Sequence, residues 1–348
     1  MRGKLRFGLI GCGVISGTHV AAIQRVGGEL AACADVVPER ARTLANAWGA
    51  DVYDDYREML RRGDIDVVTI CTPSGMHADM AVEASRRKKH VIVEKPMDIT
   101  LAKADRMIEA CRENGVKLAV ISQHRFDPST VYLRQAVAEG RLGTLALGDA
   151  SVKWFRSQAY YDSGEWRGTW ALDGGGALMN QAIHTVDLLQ HIMGDVTSIR
   201  ANMATVGHAR IEVEDVATAT VKFRSGALGT IVATTCAYPG LSARLEVHGS
   251  EGSAVIDSDK LVYFKTGTEQ RGYEAPEAPG TDGVGNAAAA ANPGGLNVWA
   301  HEQQVRDMIE AIREDREPLV NGEEGRKPLR IILALYHAAR TGQTVELR

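Results

Sequence analysis

The stretch LRFGLIGCGVIS, residues 5–16, decides the fold of the first part of the chain. An apolar run ends at a glycine turn, and a helical pattern of apolar residues begins directly after it. Gly11 permits the tight turn, Gly13 lets the backbone approach a pyrophosphate, and Ser16 stands where the GxGxxG fingerprint has its third glycine. Asp35 follows 22 residues after Gly13, at the end of the next predicted strand. The combination predicts a dinucleotide site at the start of a helix.

Strands and helices alternate through the first third of the chain. Apolar strands that are separated by helices are typical of a parallel sheet covered on both faces. The pattern therefore predicts an α/β domain with a Rossmann dinucleotide-binding fold over residues 1–123. Its predicted strands span 5–10, 30–34, 67–71, 91–93 and 117–121, and its predicted helices span 14–26, 39–48, 101–114 and a segment that ends at 84.

HVIVEKPM, residues 90–97, is an apolar strand that ends abruptly in charged residues. A strand end with two solvated charges is one interpretation of Glu94 and Lys95. In an open parallel sheet, however, ligands bind beyond the carboxyl ends of the strands, and Lys95 lies at the same predicted edge as Gly11. Pro96 also restricts Lys95 to an extended conformation. This placement favours a functional site that contains Lys95.

The second part of the chain changes character after residue 123. We predict an α+β domain over residues 124–348, with an open, mainly antiparallel sheet, because Val-, Thr- and Ile-rich runs follow one another between turns. Its predicted strands span 152–155, 196–206, 216–223, 228–236, 245–248 and 261–264, and its predicted helices span 128–139, 300–314 and 323–341. Residues 275–297 are rich in Gly, Ala and Pro and are predicted to form a mobile loop.

The segment GGGALMNQAIHTVDLLQHIMG, residues 174–194, is the most informative part of this domain. Three glycines lead into a predicted helix on which Asn180, His184 and Asp187 form a polar stripe at i, i+4 and i+7. A buried polar group without a partner costs about 1–3 kcal/mol, so these side chains need partners. His184 is therefore either a hydrogen-bonded structural histidine or a catalytic one.

Composition and charge exclude several classes of function. A net charge of −4 without a basic face argues against partners such as nucleic acids or membrane surfaces. No stretch approaches the roughly 20 apolar residues that span a bilayer. The five cysteines are scattered without a CxxC pair, which fits a reducing cytoplasm and gives no support for a metal site. The N-terminus enters a strand directly and does not read as a signal peptide. We expect a cytoplasmic protein with no metal.

Several motifs, taken in order, resemble the Gfo/Idh/MocA family of oxidoreductases. They are GLIGCG (8–13), CTPSGMH (71–77), EKP (94–96), WRGTW (166–170), GGGALMNQAIHTVD (174–187) and the TGQTVEL tail (341–347). The resemblance covers nearly the whole chain. It implies a Rossmann domain joined to an open sheet domain, and NAD(P)-dependent dehydrogenase or reductase activity on sugars, cyclitols or sugar derivatives.

The resemblance also implies roles for individual residues. Lys95 matches the family's active-site lysine, and His184 matches its catalytic histidine. Asn180 stands where the family commonly has Asp, and because an amide cannot act as a base, proton removal is expected to fall on His184. Cofactor contacts are expected from Gly11, Gly13, Val14, Ile15, Asp35, Thr72, Pro73, Ser74, His77, Glu94 and Lys95. Weaker candidates for the walls of a substrate site are Arg125, Tyr160, Arg167 and His301.

NAD is expected rather than NADP, because Asp35 can accept hydrogen bonds from both ribose hydroxyls and repels a 2′-phosphate. Arg40 is the residue that argues for NADP, although its position on the next predicted helix also suits a surface charge. A homodimer or homotetramer is expected as well. An open sheet leaves one face to cover, an uncovered apolar face would form a large patch, and family members commonly pair through this sheet.

Three functions remain open. The leading one is an NAD-dependent dehydrogenase that acts on a secondary alcohol of a carbohydrate or cyclitol. A second is glycoside cleavage through transient oxidation by a tightly held NAD, which the resemblance also allows. A third is a non-catalytic sugar or NAD sensor. The presence of both Lys95 and His184, without a visible DNA-binding element, argues against the sensor.

Overall fold

The structure is a computed structural model that describes residues 3–267 and 298–347. The predicted loop at 275–297 lies outside these residues. Within the described ranges, no helix is long and apolar enough to cross a membrane. The chain divides into two compact units, Met1–Gln123 with Asn297–Arg326 and His124–Leu296 with Lys327–Arg348.

The sheet of the first unit is parallel throughout, as predicted. Its strands are β1 (Arg6–Ile10), β2 (Glu29–Ala34), β3 (Asp51–Tyr53), β4 (Val67–Ile70), β5 (His90–Val93) and β6 (Leu118–Val120). They lie in the order β3-β2-β1-β4-β5-β6. Nearly every residue of β1, β4 and β5 is buried, as in a sheet covered on both faces. The prediction missed β3, which has only three residues, two of them exposed.

The helices of the first unit are α1 (Ser16–Arg25), α2 (Pro38–Trp48), α3 (Tyr56–Met59), α4 (His77–Arg86), α5 (Leu101–Glu113) and α9 (Val298–Glu314). Helix α9 corrects the predicted domain boundaries, because residues 297–326 return to the first unit instead of staying in the second. Its apolar stripe, which includes Val305 and Met308, is buried in one core cluster with Phe7 and Ile92 of the sheet. This burial holds α9 in the first unit.

The sheet of the second unit has eight strands. They are β7 (Leu145–Lys153), β8 (Val196–Ala204), β9 (Val216–Phe223), β10 (Leu228–Thr234), β11 (Ala243–Gly249), β12 (Gly252–Asp257), β13 (Lys260–Thr266) and β14 (Val345–Glu346). They lie in the order β13-β12-β11-β7-β10-β9-β8-β14. Within this second sheet, β7 and β10 are the only described strands that pair in parallel, so the sheet is mainly antiparallel, as predicted. The prediction placed β7 about seven residues too late and missed β12.

The helices of the second unit are α6 (Pro128–Ala138), α7 (Gln158–Asp162), α8 (Ile183–Met193) and most of α10 (Gly322–Thr341). A π-helix, Ala177–Ala182, leads directly into α8. Helix α8 packs closely on β7. A Cβ at Gly148 would lie 2.7 Å from Cγ of Met193, so only glycine permits this approach. The packing fixes α8, and His184 with it, on one face of the sheet.

The outward face of the second sheet is polar at its centre. Its side chains, in register on neighbouring strands, are Thr220, Thr230, Asp149 and Glu246. The residues that alternate with them are buried: Ala219, Ile231, Ala150 and Leu245. Thr230 Oγ1 donates to Asp149 Oδ1 at 2.7 Å. Beside this polar centre, Leu147 and Leu228 pair in register and are 37% and 57% exposed, so the described part of the face combines polar and apolar residues.

Candidate active site

The carboxyl edge of the first sheet brings predicted site residues together. Strand β1 pairs in register with β4, and β4 with β5, so their last residues lie side by side. Gly11, Cys71 and Glu94 follow these strands and share one edge, with Lys95 next to Glu94. Gly11 has φ +93°, and a Cβ there would lie 2.8 Å from the Cys71 carbonyl carbon. Only glycine fits this turn.

Asp35 holds the glycine turn from the neighbouring strand. Its Oδ2 accepts the backbone N–H of Cys12 at 2.7 Å, and its Oδ1 accepts that of Val37 at 2.8 Å. Beyond the turn, Gly13 is exposed and Val14 is 77% exposed. No side chain caps the N-terminus of α1, so its first N–H groups can bind an anion. The open turn and the carboxylate fit the pyrophosphate and ribose of a dinucleotide.

A buried charge pair adjoins Lys95. His19 Nε2 donates to Glu94 Oε1 at 2.8 Å, and His301 Nε2 lies 3.9 Å from the same oxygen. Glu94 Oε2 accepts the Lys95 N–H at 3.0 Å. Burial alone raises the pKa of Glu94, but its interactions with His19 and His301 hold that pKa well below its ordinary value. Glu94 therefore anchors the Lys95 backbone from inside, and its contact with a cofactor stays a prediction. His301, a predicted substrate wall, is also buried within the first unit.

His77 links two loops of this edge. Its Nδ1 lies 2.9 Å from the Pro96 carbonyl oxygen and its Nε2 lies 2.8 Å from that of Thr72. Burial lowers the pKa of His77, so the ring is neutral and donates to one of these carbonyls. With both nitrogens facing backbone, His77 positions the loops, and its contact with a cofactor stays a prediction. Thr72 and Pro73 are half-buried on the edge, and Ser74 is buried.

In the second unit, His184 lies at the start of α8 and lines a cavity. Its ring packs edge-on against that of His124, with centroids 5.1 Å apart and planes at 82°. Trp154, Gln181 and Arg244 also line the cavity. An imidazole is thus combined with hydrogen-bonding side chains in a concave site, as the binding of a hydroxyl-rich ligand requires.

Asn180 is hydrogen-bonded to a carboxylate that the sequence did not single out. Its Nδ2 donates to Asp173 Oδ1 at 2.6 Å, and Asp173 Oδ2 accepts the N–H of Gly168 at 2.9 Å. The one sequence signal of Asp173, which is buried, is its position directly before three glycines. Because Asn180 lies in the π-helix and His184 in α8, the predicted regular α-helical spacing of the two is wrong.

Arg125 and Asp187 form a buried bidentate ion pair. Arg125 Nε donates to Asp187 Oδ2 at 2.8 Å, and Nη2 donates to Oδ1 at 2.6 Å. Both side chains are at most 5% exposed. Such a pair is geometrically specific and, once buried, stabilises only as a pair. Arg125 therefore holds α8 in place, and its contact with a substrate stays a prediction.

The glycine run before the π-helix is fixed by Glu214. This buried carboxyl accepts the N–H groups of Gly176 and Leu178 and the hydroxyl of Tyr336, each at 2.9 Å. Burial raises the pKa of Glu214 to about 7, although these bonds oppose the shift. A Cβ at Gly176 would lie 1.8 Å from the Glu214 carbonyl oxygen. The glycine thus allows the close approach that places the segment leading to His184.

Tyr160 and Arg167, the other two predicted wall residues, lie together at the border of the cavity. Arg167 Nη1 donates to the Tyr160 hydroxyl at 2.7 Å, and Gln181 Nε2 donates to the same oxygen at 3.1 Å. Gln181 and His184 line the same cavity. Arg125 also lies near this segment, because it pairs with Asp187, three residues after His184 on α8. The substrate contacts of all four weaker candidates stay predictions.

Among the described residues, three groups of side chains have ligand atoms within 4.8 Å of one another, the spacing that a metal ion needs. They are His19 with Glu94 and His301, His208 with Asp215 and Cys236, and His124 with Asp127 and Asp259. A histidine–carboxylate contact of 2.7 to 3.0 Å accounts for the closeness of each group. The expectation of no metal stays a prediction.

Comparisons with known proteins cover both units. Residues 5–122 match the profile of an oxidoreductase family with an NAD-binding Rossmann fold, and residues 130–255 match the GFO/IDH/MocA C-terminal domain. The WlbA dehydrogenase of Bordetella pertussis, solved in complex with NADH and UDP-GlcNAcA, is 34% identical, covers 99% of both chains and has a TM-score of 0.87. D-apiose dehydrogenase of Paraburkholderia graminis is 30% identical over 99% of this chain and 90% of its own. Myo-inositol 2-dehydrogenase of Thermotoga maritima is 27% identical over 99% and 98%.

Proposed function

Because the chain belongs to the Gfo/Idh/MocA family of oxidoreductases, we propose that it transfers a hydride between a secondary alcohol of a sugar, cyclitol or sugar derivative and the nicotinamide of NAD. The observation that carries this proposal is the presence of both Lys95, at the dinucleotide edge, and His184, in a polar cavity. When bound, NAD supplies the hydride acceptor. Relatives named as dehydrogenases of apiose and of myo-inositol support the substrate class.

The chain's own residues handle the proton and the charge. As the hydride leaves carbon with the C–H electron pair, the hydroxyl proton passes to a base, and we assign that base to His184 because imidazole titrates near neutral pH. Asn180, held by Asp173, orients the hydroxyl or the imidazole. The Lys95 ammonium stabilises the negative charge that develops on oxygen.

NAD rather than NADP is part of the proposal. The Asp35 carboxylate uses one lone pair of each oxygen for the turn, so lone pairs remain for ribose hydroxyls. A 2′-phosphate there would meet a like charge. Gly11, Gly13, Val14 and Ile15 are assigned to the pyrophosphate side. The NADH complex of the 34% identical dehydrogenase is consistent with this choice.

The cytoplasm and self-association belong to the proposal as well. All five cysteines are free, which fits a reducing compartment. A homodimer or homotetramer stays a prediction, which rests on the family and on the exposed Leu147 and Leu228 beside the polar row of the second sheet.

A screen for NAD reduction tests the proposed function. Purified protein is given NAD with free sugars, inositols, glycosides and nucleotide sugars, and absorbance at 340 nm is followed. We expect NADH from at least one member. Lys95→Ala should lower turnover by about 100-fold or more, because the contact is strongest in the transition state, while NADH binding is kept. Lys222→Ala, an exposed lysine on β9, is the control.

Other results of this screen point elsewhere. Release of an aglycone without net NADH identifies glycoside cleavage. NADH binding without turnover of any compound identifies a sensor. Near-full turnover in Lys95→Ala removes this lysine from the mechanism.

A further inference from the structure

A histidine, a carboxylate and a thiol come together at one edge of the second sheet. Strand β8 ends, β9 begins and β10 ends at this edge, because the three strands pair antiparallel in chain order. His208 lies in the loop that joins β8 to β9, Asp215 directly precedes β9, and Cys236 follows β10. All three belong to the second unit. The fold therefore gathers three kinds of side chain that bind zinc.

The atoms of these side chains have the separations of ligands around one metal ion. His208 Nδ1 lies 3.0 Å from Asp215 Oδ2 and 3.7 Å from Cys236 Sγ. Around a tetrahedral zinc ion, the usual bond lengths give separations of about 3.3 Å between a nitrogen and an oxygen ligand, and about 3.6 Å between nitrogen and sulfur. A histidine–carboxylate hydrogen bond explains the first distance, whereas a metal ion explains both.

The orientation of the His208 ring also calls for a cation. His208 Nε2 lies 2.8 Å from the Arg156 carbonyl oxygen, which can only accept, so Nε2 carries a proton. In a neutral ring the lone pair of Nδ1 then faces Asp215 Oδ2, and two acceptors meet at 3.0 Å. Either a second ring proton or a metal ion removes this conflict. A histidine that binds a metal through one nitrogen commonly donates its other N–H to a backbone carbonyl in this way.

The Asp215 carboxylate is charged and firmly held. Burial raises the pKa of Asp215, but hydrogen bonds from the backbone and from His208 outweigh burial and lower it. Oδ2 accepts the N–H groups of Gly207 and His208 at 2.8 and 2.9 Å, and Oδ1 accepts that of Val206 at 2.8 Å. Oδ1, with one such bond among the described residues, keeps a lone pair for a metal. Carboxylates that bind metals are fixed by hydrogen bonds in the same manner.

The thiol lies beside an open space. A Cβ at Gly207 would lie 2.7 Å from Cys236 Sγ and 3.7 Å from Asp215 Oδ2, so the glycine leaves room next to both ligand atoms. Cys236 is half-buried, which gives an ion a path from solvent. Burial and the Asp215 carboxylate raise the pKa of the Cys236 thiol. A metal therefore binds by displacing the thiol proton, which passes to solvent.

We propose that His208, Asp215 and Cys236 bind one zinc ion. Imidazole, carboxylate and thiolate together suit zinc, whereas Mg²⁺ and Ca²⁺ take oxygen ligands. Three protein ligands leave the fourth position of a tetrahedral ion to water. The ion ties three strand ends together and, through Nε2 of His208, holds the backbone at Arg156. This inference does not depend on the proposed function, and it goes against the expectation of no metal, which rested on the spacing of the cysteines.

Zinc titration of the full-length chain tests the inference. The protein is purified without a histidine tag, freed of metal with a chelator and exchanged into chelator-free buffer before calorimetry with Zn²⁺. We expect one zinc ion per chain with a Kd of about 1 μM or lower. Zinc in large excess should raise the Tm by about 4 °C or more, because the three ligands are assembled only in the folded chain. Cobalt in place of zinc should give the absorption band of a thiolate bound to Co²⁺.

Variants assign the ion to these ligands. Cys236→Ala should lower the zinc affinity about tenfold or more and abolish the cobalt–thiolate band, and His208→Gln should lower the affinity by a similar factor. His248→Gln is the control for the histidine, since it also removes an imidazole near a carboxylate, that of Glu246. Cys111→Ala is the control for the thiol. Circular dichroism checks folding, and the cobalt spectrum of the wild type decides the case where a variant fails to fold.

Two outcomes overturn the inference. One is the absence of stoichiometric zinc binding and of a cobalt–thiolate band in the wild type, which would leave a second proton on His208 as the cation of the group. The other is a zinc affinity that is unchanged in both Cys236→Ala and His208→Gln, which would place the ion at another part of the chain.

Discussion

Glu94 carries the negative charge that organises the sheet edge of the first unit. Burial lowers the pKa of His19, but its hydrogen bond to the Glu94 carboxylate and the charge of that carboxylate outweigh burial and raise this pKa. Cys71 contributes no charge below its own pKa, which burial raises. A charged His19 therefore faces an ionised Glu94, and this carboxylate holds the N–H of Lys95. The proposed catalytic lysine is positioned by two residues that never reach the surface.

The pH dependence of stability follows from His19. Its pKa in the folded state lies above the ordinary 6.5, so its stabilisation is complete below pH 6.5 and is lost as the pH rises through the raised pKa. We expect the free energy of unfolding of the wild type to fall by a few kcal/mol over this range relative to His19→Gln. Urea denaturation at several pH values measures the difference, and His248→Gln is the control. Equal pH dependence in wild type and His19→Gln would contradict the pair.

Asp35 is the residue that we propose sets the preference for NAD over NADP. Its charge repels a 2′-phosphate, and about 2 kcal/mol of repulsion gives roughly 30-fold discrimination against NADP. We expect Asp35→Ser to reduce the preference for NAD and Arg40→Ser to leave it unchanged. The measurement is kcat/KM for both cofactors. A wild-type preference for NADP, or no relative gain for NADP in Asp35→Ser, would show that Asp35 does not discriminate.

Functional residues differ in how well the surrounding sequence predicts them. Asp35 could be predicted because a turn, a strand and a spacing point to it. Asp173 could not, since its bond to Asn180 depends on the backbone of a π-helix, and nothing in local composition signals one. The burial of Arg125 and His301 could not be predicted, because polar residue type alone does not separate a buried partner from a surface contact.

At the scale of elements, the π-helix and the glycine run before it fix the position of the segment that leads to His184. Gly176→Ala should destabilise the fold by about 2 kcal/mol or more, because its Cβ would meet the Glu214 carbonyl oxygen and the backbone must shift. Gly63→Ala is the matched control, since a Cβ there has no neighbour within 4 Å. Urea denaturation measures both. Equal stability of the two variants would mean that this close approach is not needed.

Elements with strong local patterns could be predicted, and those shaped by packing could not. The alternation of β1, β4 and β5 with helices is visible because parallel strands are continuously apolar. The start of β7 was hidden because Gly148 and Asp149 are poor strand formers. The missing Cβ of Gly148 makes room for Met193 of α8. This requirement comes from tertiary packing, so it cannot be predicted from the local sequence.

At the scale of the whole molecule, the remaining prediction is self-association. The outward face of the second sheet, which combines the row of Thr220, Thr230, Asp149 and Glu246 with the exposed Leu147 and Leu228, is the surface that we expect to associate. We expect light scattering to give a mass of two or four times 37.6 kDa. Association through this polar row should also weaken in high salt. The mass of a single chain would refute the homo-oligomer.

The central claim is that a hydride passes from a carbohydrate carbon to NAD. The most direct measurement uses the best substrate of the NAD screen with deuterium on all its carbons, followed by mass spectrometry of the reduced cofactor. Transfer from carbon predicts NADH that carries one deuterium, formed more slowly than from the unlabelled substrate. Reduced cofactor without deuterium would contradict the claim.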